Sequence, residues 1–127
     1  MQKTITKSVL GALAGASLMV VAGAASATTI TECKGLISTL QTQTAAAEFV
    51  GRNAQKDQDG LVGKLMEASN KLDVAKTADA ALKVTNYRDK VNTLCASGKI
   101  APNSDPSCAA LLDGANGALA CIANIGM

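Results

Sequence analysis

The chain has 127 residues, with 12 Lys+Arg against 10 Asp+Glu, no His, and a single Phe and a single Tyr as its aromatics. Without His, the usual general base at neutral pH and the commonest metal ligand are missing, and no Ser–His or Cys–His nucleophile can be built. Two aromatics give no platform for base stacking and the charge excess is slight, so nucleic-acid binding is not expected.

The N-terminal stretch has the three parts of an export signal in order. Lys3 and Lys7 make a positive opening, an apolar run of small residues follows from Val9 to Val21, and Ala25-Ser26-Ala27 offers small side chains to a signal peptidase. The order predicts a signal peptide over 1–27, cleaved after Ala27, and a single helical domain over 28–127. The run is short and rich in Gly and Ala, whereas a membrane span needs about 20 apolar residues, so the mature chain is expected to have none. Lys3 and Lys7 also supply the whole positive excess, which leaves the mature part with ten positives against ten negatives. Its destination is outside the cytoplasm, secreted or periplasmic.

Four helices follow from the hydrophobic spacing, and no strand is convincing. The first opens at Thr31 as N-cap, with Glu32 in the first turn, and Cys33, Leu36, Ile37, Leu40, Thr44 and Ala47 recur at helical steps. It loosens near Phe49, Val50 and Gly51, and 52–56 reads as a polar connection. The second helix runs from about Asp57 to Leu72 on a stripe of Leu61, Leu65, Ala68 and Leu72, with Val62 and Met66 widening it. Glu67 and Lys71 are spaced as an ion pair on its outer side.

Thr77 is the expected N-cap of the third helix, from Ala78 to about Ser97. Ala81, Val84, Tyr87 or Arg88, Val91, Leu94 and Cys95 mark its buried side, and Gly98 stands past its end. Pro102 and Pro106 bracket a polar loop, after which Asp105-Pro106 reads as N-cap and first residue of the fourth helix. That helix carries Cys108, Leu111, Leu112, Ala115, Leu119 and Ile122. Gly114 and Gly117 each weaken it by roughly 1 kcal/mol relative to Ala, a cost that close approach of a neighbour would offset. The fold class is all-α, a small bundle of about four helices.

All four cysteines lie in the mature part, an even number in an exported chain, which reads as two disulfides. Cys108 and Cys121 share one helix at a separation of roughly 20 Å, far beyond the limit of about 7 Å between bridged Cα atoms. In an up-down-up-down bundle Cys95 and Cys108 meet at one end, and Cys33 and Cys121 at the other. The remaining connectivity, Cys33–Cys108 with Cys95–Cys121, joins opposite ends. The expected staples are therefore Cys33–Cys121 and Cys95–Cys108. A four-thiolate zinc site lacks the C-x2-4-C spacing it needs.

Asp57-Gln58-Asp59-Gly60 has the look of a calcium loop, but aligning Gly60 with the sixth position puts Gln55 first and Met66 twelfth, where Glu is required. Capping of the second helix by Asp57 and Asp59 is the better reading. Arg52, Lys56 and Lys64 make a basic strip broken by those two acids, which suits a solvated face. Thr39, Thr42 and Thr44 could form a polar contact surface, and the small residues of the fourth helix could line an apolar groove, though close helix packing explains them as well. No catalytic, cofactor-binding or metal residues are assigned.

The run Gly51-Arg52-Asn53-Ala54-Gln55-Lys56-Asp57 through Gly60-Leu61-Val62-Gly63-Lys64-Leu65, with Lys71-Leu72, Lys76-Thr77-Ala78-Asp79-Ala80 and Tyr87-Arg88-Asp89-Lys90-Val91, resembles the helical-hairpin module called FIMAH in bacterial secreted and surface proteins. The likeness covers roughly 51–100. It implies a non-catalytic accessory module that meets an unidentified protein or cell-surface partner; no functional residues transfer. The flanking cysteine-bearing helices and the lack of an attached enzyme domain depart from that family's pattern. The alternative expectation is a carrier of a small apolar ligand within the bundle.

Overall fold

The computed structural model describes residues 28–125; the expected signal peptide over 1–27 lies outside the described residues. Four helices make up the fold: α1 (Ile30–Ala46), α2 (Ala54–Asp73), α3 (Thr77–Ala96) and α4 (Cys108–Ala123), with no strand among the described residues. Each helix packs on the next and α4 closes back on α1, an up-down-up-down ring.

The start of α1 lies two residues earlier than the spacing suggests. Thr29, not Thr31, is the N-cap: its hydroxyl accepts from the Glu32 N–H at 3.1 Å, while its own N–H donates to the Glu32 carboxylate at 2.8 Å. This reciprocal pair satisfies two orphan donors together, so it wins over a cap at Thr31. α2 begins at Ala54 rather than Asp57, because Ala54 to Lys56 already take the helical path and the Asp57 N–H bonds to the carbonyl of Asn53, the cap residue. Asp57 thereby sits in the first turn, where the helix dipole favours its charge, without capping it.

α3 starts at Thr77, one residue early, with Lys76 in the cap position. The fourth helix starts two residues late: Ser107 is its N-cap, accepting from the Ala110 N–H at 3.1 Å, and Asp105-Pro106 belongs to the loop. Two helix ends close in the same way. Ala75 (φ 59°) after α2 and Gly98 (φ 73°) after α3 turn left-handed, so that Lys76 and Lys99 donate back to Lys71 and Leu94.

The core is a single cluster built from one stripe of every helix. Cys33, Ile37 and Leu40 come from α1, and Leu61, Leu65, Ala68 and Leu72 from α2. α3 contributes Ala80, Val84, Tyr87, Val91 and Leu94, and α4 contributes Leu111, Ala115, Ala118 and Ile122. Ala80 rather than Ala81 is the fully buried position of α3, and Leu36 stands 45% exposed. With a core this rich in Ala, burial is modest, and cross-links at the bundle ends matter correspondingly more.

Gly114 has the packing role expected of it. A Cβ there would lie 2.7 Å from Leu40 Cδ1, so the buried Leu40 side chain of α1 occupies the space that a side chain at 114 would need. Gly117 does not: nothing lies within 4 Å of the equivalent point. Gly117→Ala is therefore expected to raise stability by up to about 1 kcal/mol from helix propensity. Gly114→Ala should forfeit that gain by displacing the buried Leu40, and paired urea titrations would read opposite shifts in midpoint.

Candidate functional site

The two bundle ends are built differently. At the end holding the N-terminal residues of α1, a disulfide joins Cys33 to Cys121 (Cα–Cα 5.6 Å), Thr28 pairs with Ile125, and Lys34 forms an ion pair with Asp73 of α2. At the other end Cys95, next to last in α3, is joined to Cys108, the first residue of α4 (Cα–Cα 6.1 Å). These are the two pairs that the helix order demands. Cys33 is fully buried, whereas Cys95, Cys108 and Cys121 are half-buried.

Two loops meet at the Cys95–Cys108 end. Phe49 and Ile100 form an antiparallel bridge, with the Val50 N–H donating to Lys99 at 2.9 Å and the Ala101 N–H to Glu48 at 2.9 Å. The buried Ser104 hydroxyl accepts from the Glu48 N–H at 2.8 Å and donates to the Pro106 carbonyl at 2.7 Å. Gln58 completes this end. Its side-chain amide nitrogen reaches the carbonyls of Thr44 (3.0 Å), Ala45 (2.9 Å) and Ala47 (3.3 Å) around the end of α1, of which Thr44 also accepts the Ala47 N–H. Neither residue stood out in the sequence. For Gln58 the signal was the lack of any basic residue or Gly in the last turn of α1, which leaves carbonyls needing a donor from elsewhere. Gln58→Ala is expected to cost about 1 to 2 kcal/mol, read as a lowered thermal midpoint.

The hydroxyls of α1 do not form one surface. Thr39 and Thr42 are exposed, but each donates to the carbonyl four residues earlier, Gly35 and Ser38. Thr44 is buried. Its hydroxyl donates to the Leu40 carbonyl at 2.7 Å and so receives the proton of Tyr87, whose oxygen lies 2.8 Å away. Tyr87 thus reaches across the core from α3 to the diagonally opposite α1. Burial pushes the Tyr87 phenol up to about 12, against a smaller opposing effect of the Thr44 bond.

The charged residues are unevenly spread. α1 and α4 carry only Glu32, Lys34 and Asp113, while α2 carries seven charged residues and α3 five. On the α2–α3 side Glu67 pairs with Lys83 at 3.0 Å, not with Lys71, and that bond holds the exposed Glu67 carboxyl below its ordinary value. Asp57, largely covered, faces Lys90 at 3.8 Å. Asp59 receives the Gln55 side-chain amide at 2.8 Å. Among the described residues no group of three or more His, Cys, Asp or Glu is placed to hold a metal ion, and no helix is long and apolar enough to cross a membrane.

A surface pocket of about 280 Å3 opens between the start of α3 and the end of α4, lined by Thr77, Ala81, Leu119, Ile122, Ala123 and Ile125. From α4 it takes Leu119, Ile122 and Ala123. No family model matches this chain, and neither does any curated protein or solved structure. Geometry alone carries the functional reading.

Proposed function

We propose that the protein is an exported, non-catalytic helical module that acts by surface contact with a protein or cell-surface partner outside the cytoplasm. The observation that carries this reading is the closure of the bundle. Disulfides clamp both ends, and Tyr87, Leu40, Leu65 and Leu111 fill the middle, so the outer faces are what the molecule offers. The export signal, the oxidised cysteines and the likeness to FIMAH hairpins support the same reading. Segregation of charge onto α2 and α3 gives two chemically distinct faces, of which the α1–α4 face can be covered with less desolvation of ions.

The test is retention of the purified, disulfide-bonded protein on the envelope fraction of the producing cells. Retention is expected, and it should fall with Ala120→Lys on α4 and persist with Asn86→Lys on α3, both exposed positions. A protein that stays monomeric and unretained at micromolar concentration sinks the proposal.

The α3–α4 pocket favours a second reading, carriage of a small apolar ligand. Its volume lies just below the range of about 300 to 1,000 Å3 usual for ligand sites, and it lies at the surface rather than in the bundle interior. A saturable rise in thermal midpoint with a medium-chain alkanol, abolished by Ala81→Phe, would establish it.

A further inference from the structure

The two disulfides place their sulfurs in opposite chemical settings. Thiol–disulfide exchange needs an accessible sulfur to attack and a leaving thiolate that is stabilised. At the Cys95–Cys108 bond both residues are half-buried, and Cys108 is the first residue of the 16-residue helix α4. A thiolate at that position faces the positive end of the helix dipole and the outward-pointing N–H groups of the first turn. Cys95 lies at the negative end of α3, so attack on Cys95 with departure of Cys108 is the favoured direction.

The Cys33–Cys121 bond does not combine the two, because its one accessible member, Cys121, has the buried Cys33 as its leaving group. Cys33 has no exposed surface, its N–H is bonded to the Thr29 carbonyl at 3.2 Å, and Glu32 is its neighbour. Attack on the half-buried Cys121 would expel a Cys33 thiolate into the apolar core, where desolvation opposes the charge. Attack on Cys33 itself is sterically closed, and it would leave a Cys121 thiolate in the last turn of α4.

We infer that Cys95–Cys108 is a redox-labile clip that a dithiol opens in the folded protein, while Cys33–Cys121 stays closed until the bundle unfolds. In the first step a thiolate of the dithiol attacks the Cys95 sulfur. The Cys95–Cys108 bond breaks, a mixed disulfide with Cys95 forms, and Cys108 leaves as thiolate. The second thiolate of the dithiol then attacks its own sulfur in the mixed disulfide and releases Cys95. The reductant becomes a cyclic disulfide, and two electrons pass to the protein as two thiols. The end stays assembled because the Phe49–Ile100 bridge and the Ser104 bonds do not use the sulfurs.

The experiment treats the full oxidised protein with dithiothreitol at pH 7.5 without denaturant, quenches with N-ethylmaleimide at intervals and maps the labelled peptides. Cys95 and Cys108 should be labelled together, roughly tenfold or more faster than Cys33 and Cys121, with the helical circular dichroism kept. Ala109→Glu puts a carboxylate on the exposed second residue of α4, where it suits the helix but repels the Cys108 thiolate, and should slow opening about twofold or more. Three results overturn the inference: simultaneous or reversed reduction, loss of helix on opening, or an unchanged opening rate in Ala109→Glu.

Discussion

Replacing Cys33 and Cys121 together by Ala should lower stability by up to about 4.6 kcal/mol, against about 2.9 kcal/mol for the same change at Cys95 and Cys108. The difference comes from the unfolded chain. The first bond spans 88 positions and the second 13, so the first removes far more freedom from the denatured ensemble. Loss of the fully buried Cys33 sulfur from the core acts in the same direction. For a domain of this size the larger loss corresponds to roughly 20 °C or more in thermal midpoint. Urea unfolding of the two double variants measures both numbers; equal losses, or a larger loss at Cys95–Cys108, would contradict the chain-entropy account.

The same reasoning explains how much of the fold was legible. Helix order and approximate length follow from apolar spacing, and the stripe Leu61, Leu65, Ala68 and Leu72 is buried as its period demands. Once α3 and α4 are antiparallel, chain length along α4 decides the disulfide partners without any side-chain detail. Helix ends were harder to read. Thr29 and Thr31 are both good caps in isolation, and the choice depends on whether Glu32 can reach back to the cap's own N–H. Asp105-Pro106 and Ser107 compete similarly, and Ser107 wins while Ser104 is drawn into the loop by the Glu48 N–H.

The polar interior was the least legible part, because its partners are far apart in sequence. Thr44 meets Tyr87 across 43 positions, and Ser104 meets Glu48 across 56. Nothing local marks such pairs. Glu67 illustrates the same point on the surface: Lys71 sits at the ideal spacing within the helix, yet Lys83 on α3 takes the carboxylate. That exchange is worth little at an exposed site. The Gly pair in α4 separates for a related reason, since only Gly114 faces α1.

Tyr87 gives the sharpest consequence of that interior pair, a loss of stability at high pH. Its phenol is held from an ordinary value of 10 up to about 12 because the charged phenolate would have to form in the core. A group whose folded value exceeds its unfolded value contributes stability in full below the unfolded value and loses it as pH rises through the folded one. Tyr87 should therefore contribute up to about 3 kcal/mol below pH 10, lost between about pH 10 and 12. Tyr87→Phe removes this dependence while leaving the Lys titrations in place, at a constant cost of about 1 to 2 kcal/mol for the unpaired Thr44 oxygen. Tyr87 is the only Tyr and there is no Trp, so phenolate absorption near 295 nm reports this group alone. Oxidised, folded protein should titrate about two pH units above the same protein in urea. A folded midpoint near 10 would mean that water reaches the hydroxyl, and the alkaline slope in stability would vanish with it.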